Sequence, residues 1–305
     1  MTVIDEVISL FRRCMPYIVR PDETVRGLLS RPDAVILTRR SDTGRLLAAA
    51  LLHKNCLQLL CTDSAFRRRG LGSSLLTEAE SLVRNAGFSE LITGAGEGYI
   101  MPGVPSSRMV FSESLSSACP AEGLTDEAAS FFLRRGYTHS WEDSNCFDMM
   151  LSFRETRLSF PPPGSVILGV IYRWALPDDF EAVCRCTEDA HPSFTRYYSD
   201  PLLYQPNARS RVLIAETEGA IAGCLIVRFE GDAPGTGSAG CTAVRPAFRG
   251  RRIATNLVRI GTGTLQADGL ERSFIGYTYS GLDRLYGAAG YSISTFYLMA
   301  HKQLV

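Results

Sequence analysis

One segment of this sequence occurs twice, and the repetition constrains the fold more than any other feature. Residues 61–88 read CTDSAFRRRGLGSSLLTEAESLVRNAGF, and residues 241–270 read CTAVRPAFRGRRIATNLVRIGTGTLQADGL. In each copy a short apolar strand leads through an Ala-Phe-Arg turn and an arginine-rich loop into a helix that ends near Gly87 or Gly269. Such self-similarity indicates that one structural unit is used twice.

The predicted elements after each copy keep the same order, a strand, a helix, a Gly-Tyr pair and a last strand. They are Glu90–Thr93, Thr125–Arg135 and Cys146–Phe153 in the first half, and Ser273–Thr278, Gly281–Ala289 and Thr295–His301 in the second. The first half carries 28 extra residues between its loop and its last helix, within the stretch that contains Gly94–Pro105. These patterns predict an α/β chain (α+β, with mixed sheets) made of two similar domains.

The run Pro161-Pro162-Pro163-Gly164 marks the boundary, because consecutive prolines hold an extended path. A length of 305 residues also suits two domains. We therefore predict domains at residues 1–158 and 159–305. The second domain opens with a predicted strand, Val166–Trp174, and the first half has no recognisable counterpart of it.

A strand that runs through a loop into a helix is a ready anion site, since free backbone N–H groups and the helix dipole converge there. Gly70 and Gly72 allow close backbone approach, and neighbouring arginines add charge-assisted hydrogen bonds to phosphate oxygens. The loops match neither the dinucleotide fingerprint nor the P-loop. Read singly, such a loop could equally be a solvated arginine turn before a helix; its repetition favours an anion site.

The two loops resemble the pyrophosphate loop of the GCN5-related N-acetyltransferase (GNAT) superfamily, Q/R-x-x-G-x-G/A. Arg67 to Gly72 fit every fixed position, whereas the second loop places Arg252 where the pattern has glycine. The resemblance covers both halves and implies a tandem acetyltransferase that binds acetyl-CoA. The residues it implies for binding are Thr62, Arg67, Arg68, Arg69, Gly70, Leu71, Gly72 and Ser73 in the first half, and Val244, Arg249, Gly250, Arg251, Arg252, Ile253, Ala254 and Thr255 in the second.

The resemblance also implies a tyrosine on the last helix as the acid that protonates the leaving thiolate. DRLYGAAGY supplies Tyr286, whereas ASFFLRRGY places Phe132 there, and phenylalanine cannot donate a proton. We therefore expect the second domain to catalyse. Tyr286 could instead be a packing residue, and if the first domain were the active one, Tyr99 would be its substitute acid.

A general base is harder to identify from the sequence. Glu230 is the leading candidate, since with Asp232 it closes a long second-domain strand near where the catalytic carboxylates of the resembled family often lie. Glu188, Asp189 and His191 border the expected acceptor region. Each could be an ordinary surface residue, and a chain of water molecules could replace them.

The composition restricts the kinds of partner that the protein can bind. Lys+Arg 32 balance Asp+Glu 32, which argues against nucleic-acid and membrane-surface binding. Nine scattered cysteines without CxxC spacing predict neither disulfides nor a metal site, and the arginine-interrupted N-terminus resembles no signal peptide, so we expect a cytoplasmic protein. The predicted function is acetyl transfer to a small-molecule or peptide amine by a monomer or homodimer. The alternative is a non-catalytic CoA-binding or structural module.

Overall fold

Two compact units divide the chain in this computed structural model, which describes residues 2–94, 100–109, 118–139, 146–279 and 281–304. The first unit comprises residues 1–114, 120–147 and 295–305, and the second comprises residues 115–119 and 148–294. Neither unit is continuous in sequence. The boundary predicted at 158/159 falls inside the second unit.

The first unit contains one mixed sheet with helices packed on it. Its elements are α1 (Val3–Cys14), α2 (Asp22–Leu29), β1 (Ala34–Arg40), β2 (Leu46–His53), β3 (Cys56–Thr62), α3 (Leu71–Asn85), β4 (Glu90–Thr93), β5 (Val104–Ser106), α4 (Glu127–Leu133), β6 (Thr138–His139) and β15 (Ala300–Gln303). The sheet order is β1-β2-β3-β4-β15-β6, with β3 and β4 parallel. Every residue of β2 is buried, which accounts for the apolar run LLAAALL that precedes its last residue, His53.

The second unit repeats this plan with longer strands. Its elements are β7 (Cys146–Ser152), β8 (Ser165–Ile167), β9 (Val170–Trp174), α5 (Phe180–Ala190), α6 (Thr195–Tyr198), β10 (Ser210–Thr217), β11 (Ala220–Arg228), β12 (Thr236–Val244), α7 (Ile253–Ala267), β13 (Arg272–Tyr279), α8 (Leu282–Gly287) and β14 (Ser292–Leu298). The strands run β14-β7-β13-β12-β11-β10-β9-β8, with β12 and β13 parallel. Residues 295–298 of β14 belong to the first unit, and there β14 pairs with β5. The predicted mixed α/β class is thereby confirmed.

The two faces of the second sheet carry different helices. On one face Val183 and Cys186 of α5 pack with Cys224 and Ala243 in an apolar core. On the other face α7 lies so close that a side chain on Gly261 would meet Leu225 at 2.9 Å. Neighbouring residues point to opposite faces where a strand is regular, so residues in the regular parts of these strands can be assigned to the α5 face or the α7 face.

Each half of the sequence ends with a strand that pairs in the other unit. Residues 148–152 of β7 belong to the second unit and lie between β13 and β14, and β15 pairs with β4 and β6 in the first. The predicted strand–helix–strand order after each arginine loop is present, with β5 and β6 as additional short strands in the first half. The single strand predicted at Thr295–His301 is wrong, because β14 ends at Leu298 and β15 begins at Ala300 in a different sheet. The exchange of last strands is not visible in the sequence.

The prediction of a single strand at Val166–Trp174 is wrong, because these residues form a hairpin of two strands, β8 and β9. Leu168 and Gly169 form its turn with φ of 51° and 77°. Two successive positive φ angles fit the tight turn of a two-residue hairpin, for which leucine is an unusual first residue. The apolar run therefore concealed the turn.

Candidate functional site

The two arginine loops have the same backbone despite their different sequences. Each loop holds two residues in the left-handed region, Arg68 (φ 64°) and Gly70 (φ 80°) in the first and Gly250 (φ 81°) and Arg252 (φ 58°) in the second. Each loop thus places glycine at one left-handed position and arginine at the other, in opposite order. Arg252 adopts the conformation that the motif assigns to glycine, at a cost of about 1–2 kcal/mol.

Both loops end at the start of a long helix whose first N–H groups lack partners within the helix. The first i→i−4 bonds are Ser74 N to Gly70 O (2.9 Å) and Asn256 N to Arg252 O (3.0 Å). Neither Gly70 nor Arg252 caps its helix with a side chain. The N–H groups of residues 71–73 and 253–255 precede these bonds and can serve an anion.

The loop arginines occupy equivalent places in the two units. Arg67 Nε donates to Thr62 O and Arg249 Nε donates to Val244 O, both at 3.4 Å. The second arginine pair, Arg69 and Arg251, lies over the rings of the loop phenylalanines, 5.2 Å and 5.1 Å from their centroids. Arg251 also forms an ion pair with Glu218 at 2.6 Å. These exposed guanidinium groups give each loop a positive charge.

In both units the strand before the loop separates from its parallel neighbour. Strands β12 and β13 pair only at Thr236↔Arg272 and Gly237↔Ser273, although β12 continues to Val244. Strands β3 and β4 likewise pair at only two positions, Cys56↔Ile92 and Leu57↔Thr93. We call each opening beyond these pairs the split of its unit.

Backbone N–H groups at the ends of β3 and β12 point into the splits. Arg245 N donates to Ala222 O of β11 at 3.0 Å, and in an antiparallel ladder the preceding N–H then points away from that partner. Val244 N–H is therefore directed toward the split of the second unit. Asp63 N donates to Leu47 O at 2.8 Å, so Thr62 N–H has the same direction in the first unit.

Tyr286 lies on α8 and is 4% exposed, with its ring 5.9 Å from that of Tyr291. Burial raises the pKa of the Tyr286 phenol above its ordinary range, and the Thr242 hydroxyl on β12 opposes the shift. Tyr286 is therefore close to β12 at the split and stays protonated at neutral pH. Its counterpart Phe132 is also buried and packs edge-on against Tyr137, with centroids 5.1 Å apart.

The split of the first unit is largely filled by the extra residues of the first half. A cavity of about 40 Å³ remains there, and its lining includes Leu57, Thr93, Met101, Val104 and Phe132. The filling segment is tightly packed, since a Cβ on Gly103 would lie 2.6 Å from the carbonyl oxygen of Leu298. Tyr99, the substitute acid predicted for this unit, lies outside the described residues.

The structure does not bring Glu230 to Tyr286. The Glu230 side chain is 69% exposed and pairs with Arg209 at 2.9 Å. It lies next to the beginning of β12, because a Cβ on neighbouring Gly231 would meet Thr236 O at 2.7 Å. Thr242 is six residues farther along the strand, about 20 Å at 3.3 Å per residue. Glu230 is thus at the closed end of the split.

The other carboxylates and the histidine predicted near the acceptor have local roles. Asp189 pairs with Arg245 at 2.6 Å, and Glu188 is exposed. His191 Nδ1 accepts from Ser193 N at 3.3 Å and caps a short helical turn.

Sequence reasoning missed Asp148, a carboxylate that is 7% exposed in the second unit. Its Oδ1 accepts from Tyr277 N on β13 at 2.8 Å. The signal was a single aspartate inside the apolar run CFDMMLSF, which is costly to bury without a partner or a purpose.

Two classes of feature are not found in the described part of the chain. Its His, Cys, Asp and Glu side chains form no group of three or more that could hold a metal ion. Among the same residues, no helix combines the length and apolar character needed to cross a bilayer.

Comparison with known proteins agrees with this arrangement. Residues 170–291 match the family model described as the acetyltransferase (GNAT) family. No curated protein matches the sequence. A tandem GNAT protein from the clavulanic acid biosynthesis pathway is 17% identical, with a TM-score of 0.65 over 99% of this chain and 95% of that one. A GCN5-related N-acetyltransferase from Sphaerobacter thermophilus is 18% identical, with a TM-score of 0.66 over 99% and 94%.

A third similar structure belongs to a much longer protein. It is the GCN5-related glucosamine N-acetyltransferase region of a fungal multi-domain GH3 beta-N-acetylglucosaminidase, 16% identical with a TM-score of 0.68. The match covers 98% of this chain and 37% of that one, so this chain spans little more than a third of the fungal protein. At these identities the three structures show the fold alone, a tandem GNAT fold over nearly the whole chain.

Proposed function

Because residues 170–291 match the GNAT acetyltransferase family, we propose that this protein is an acetyl-CoA-dependent N-acetyltransferase whose second unit transfers the acetyl group to a primary amine. The observation that carries the proposal is the combination, in one unit, of a helix start that can bind an anion, a split between β12 and β13, and a protonated tyrosine beside that split. When bound, acetyl-CoA supplies an activated acetyl thioester. The residues below bind it, orient it and move protons.

The start of α7 suits the pyrophosphate of acetyl-CoA. The N–H groups of Ile253, Ala254 and Thr255 converge with the positive end of the helix dipole, and Arg249 and Arg251 add charge. The residue before the helix must be left-handed to leave these groups accessible, and Arg252 meets that requirement. The same argument applies to the start of α3 with Gly70.

The split of the second unit suits the thioester. Val244 N–H points into it and can donate to the thioester carbonyl oxygen, which gains negative charge as the amine attacks. Tyr286 can then give its proton to the thiolate that leaves. The buried phenol is a weaker acid than a thiol, whose pKa is near 8.5, so the transfer is completed by the proton that the acylated nitrogen returns to the phenolate.

The first unit lacks two of these features and is assigned a non-catalytic role. Phe132 has no proton to donate, and the residues that line its split leave a cavity of about 40 Å³, enough for only a few water molecules. Its helix start and Arg67 to Arg69 still support binding of a phosphorylated ligand. The competing proposal is a CoA-binding or structural protein that does not catalyse acetyl transfer. It predicts that amines do not increase the release of CoA thiol.

Release of CoA thiol from acetyl-CoA tests the proposal with a panel of aliphatic amines that includes benzylamine, tyramine, glucosamine, lysine and spermidine. We expect amine-dependent release by the wild type and a loss in kcat of about 100-fold or more in Tyr286→Phe, the usual contribution of a general acid. Tyr291→Phe is the matched control, because it removes a buried phenol that packs against Tyr286.

The same measurements distinguish an acid role of Tyr286 from a loss of stability and from a non-catalytic protein. Tyr291→Phe should alter stability but reduce kcat less than tenfold. A Tyr286→Phe enzyme as fast as the wild type would refute the acid role, and thiol release no higher with amines than without them would favour the non-catalytic module.

A further inference from the structure

We propose that Asp148, on a strand from the first half of the sequence, is the general base of the second unit and that the acceptor is an aliphatic amine that arrives protonated. The inference rests on the proposed acetyl transfer and assigns the proton acceptor that the sequence could not identify. It is carried by the position of one buried carboxylate relative to the split.

Asp148 lies on the α5 face of the sheet, opposite the face that carries Tyr286. Ser273 Oγ accepts from Tyr291 OH at 2.7 Å and therefore points to the α7 face. By alternation Phe274 and Gly276 point to the α5 face. A Cβ on Gly276 would lie 3.5 Å from Asp148 Oδ1, so the carboxylate shares that face.

Asp148 also lies beyond the last β12–β13 pair, in the part of the sheet where β13 borders the split. Phe153 N donates to Glu271 O at 2.9 Å, and counting back along this antiparallel pair places Asp148 opposite Gly276. Gly276 is three residues beyond Ser273, the last β13 residue paired with β12. Asp148 is therefore one strand spacing, about 5 Å, from the edge of the split. An acid on one face and a base on the other fit an amine that attacks from the α5 face.

The Phe274 ring lies beside the carboxylate on the α5 face, with Cε1 3.0 Å from the position that a Cβ on Gly276 would take. Gly276 is exposed, although Asp148 beside it is 7% exposed. A charged group in so confined a position interacts strongly with any cation that reaches it, since water screens it little. The acceptor's ammonium group is such a cation.

The backbone of β13 is held in an unfavourable conformation by the same carboxylate. Tyr277 has φ of 56°, a left-handed angle in the middle of a strand, and its N–H donates to Asp148 Oδ1. A charge-assisted hydrogen bond of this kind offsets the cost of the left-handed residue. The bond fixes the carboxylate's orientation, which a general base needs.

The proposed reaction starts from the protonated acceptor and releases one proton. The acceptor R-NH3⁺ gives one proton to Asp148, and the free amine forms a C–N bond to the acetyl carbon as the C–S bond breaks. Tyr286 protonates the leaving thiolate and takes back the second proton lost by the nitrogen. Asp148 releases its proton to solvent, so the products are the amide, CoA thiol and one proton.

The experiment separates a catalytic role of Asp148 from support of the left-handed backbone at Tyr277. Asp148→Asn keeps an Oδ1 acceptor for Tyr277 N–H but removes the charge, whereas Asp148→Ala removes both. Steady-state kinetics with acetyl-CoA and the best aliphatic amine of the panel should show kcat/KM lowered about 100-fold or more in both variants. A purely structural role predicts that Asp148→Asn retains wild-type activity and only Asp148→Ala loses it.

Aniline supplies a readout that a structural defect would not produce. It is already neutral at pH 7 and needs no base, so Asp148→Asn should lower its acetylation less than about threefold. An equal loss with aniline and the aliphatic amine, or no loss with either, would overturn the assignment. If the wild type acetylates no amine, the proposed function fails; if the wild type is active and Asp148→Asn is unchanged, only this inference fails.

Discussion

The ion pair that holds the C-terminal strand in the first unit leads to a stability prediction. Lys302 Nζ on β15 contacts both carboxylate oxygens of Glu80 on α3, at 3.0 Å and 3.1 Å. Tyr137 OH donates to Glu80 Oε1 at 3.1 Å. Burial raises the pKa of Tyr137, and the nearby Glu80 charge adds to the shift, so the phenol remains a donor.

The size of the interaction follows from its burial. The side chains of Glu80 and Lys302 are 15% and 28% exposed, so this is a mostly buried pair. Two charges about 4 Å apart attract each other by about 4 kcal/mol at an effective dielectric constant of 20, and desolvation offsets much of this. We expect a coupling free energy of about 1–2 kcal/mol, and a loss of about 2–3 kcal/mol for Lys302→Met alone, which leaves Glu80 with Tyr137 only.

A double-mutant cycle of Glu80→Gln and Lys302→Met, measured by urea unfolding, gives the coupling directly. The Arg154–Glu271 pair is the matched control, because its N–O distance is 2.6 Å but its side chains are 72% and 43% exposed. The control should couple by less than about 0.5 kcal/mol. A Glu80–Lys302 coupling no larger than the control would refute the argument that burial strengthens this pair.

Two further predictions concern backbone strain and alkaline stability. Gly250→Ala should destabilise the protein by about 1 kcal/mol in urea unfolding, because φ of 81° is unfavourable for alanine, whereas Arg252→Gly should be neutral or slightly stabilising; equal stability of Gly250→Ala and the wild type would contradict this. Burial raises the pKa of Tyr291 to about 12, so its contribution to stability is complete below the unfolded-state pKa of about 10 and is lost as pH rises from 10 to 12. The loss should reach about 3 kcal/mol, measured as the pH dependence of the unfolding free energy, and a slope above pH 10 that is unchanged in Tyr291→Phe would show that this residue is not responsible.

The repeated loop was predictable because its information is local. Glycine and arginine at fixed spacing after an apolar strand identify a helix start that can bind an anion, and the structure places both loops in that context. The sequence also shows that Arg252 stands where the motif has glycine, but it does not show what this does to the backbone of the loop. Only the backbone angles reveal that each loop has two left-handed residues. In the second loop these are Gly250 and Arg252.

The partners of the last strands were not predictable, because strand pairing is decided by tertiary structure. The apolar pattern of β7 predicts a strand but carries no information on which sheet accepts it. Asp148 therefore could not be related to Tyr286, since its relevance depends on β7 lying next to β13. For the same reason the extra residues of the first half gave no sign that they fill a split.

The exchange of last strands also changes what each half of the sequence can form alone. A chain cut at 158/159 would deprive β13 and β14 of β7, the strand that lies between them, and would take β15 from between β4 and β6. The backbone groups of four strands would lose hydrogen-bonding partners, at a cost for each that is buried. The second repeat therefore matches a family domain in sequence while its sheet is completed by the first half. The same strand brings Asp148, so on our assignment the half without a catalytic tyrosine still supplies a reacting group.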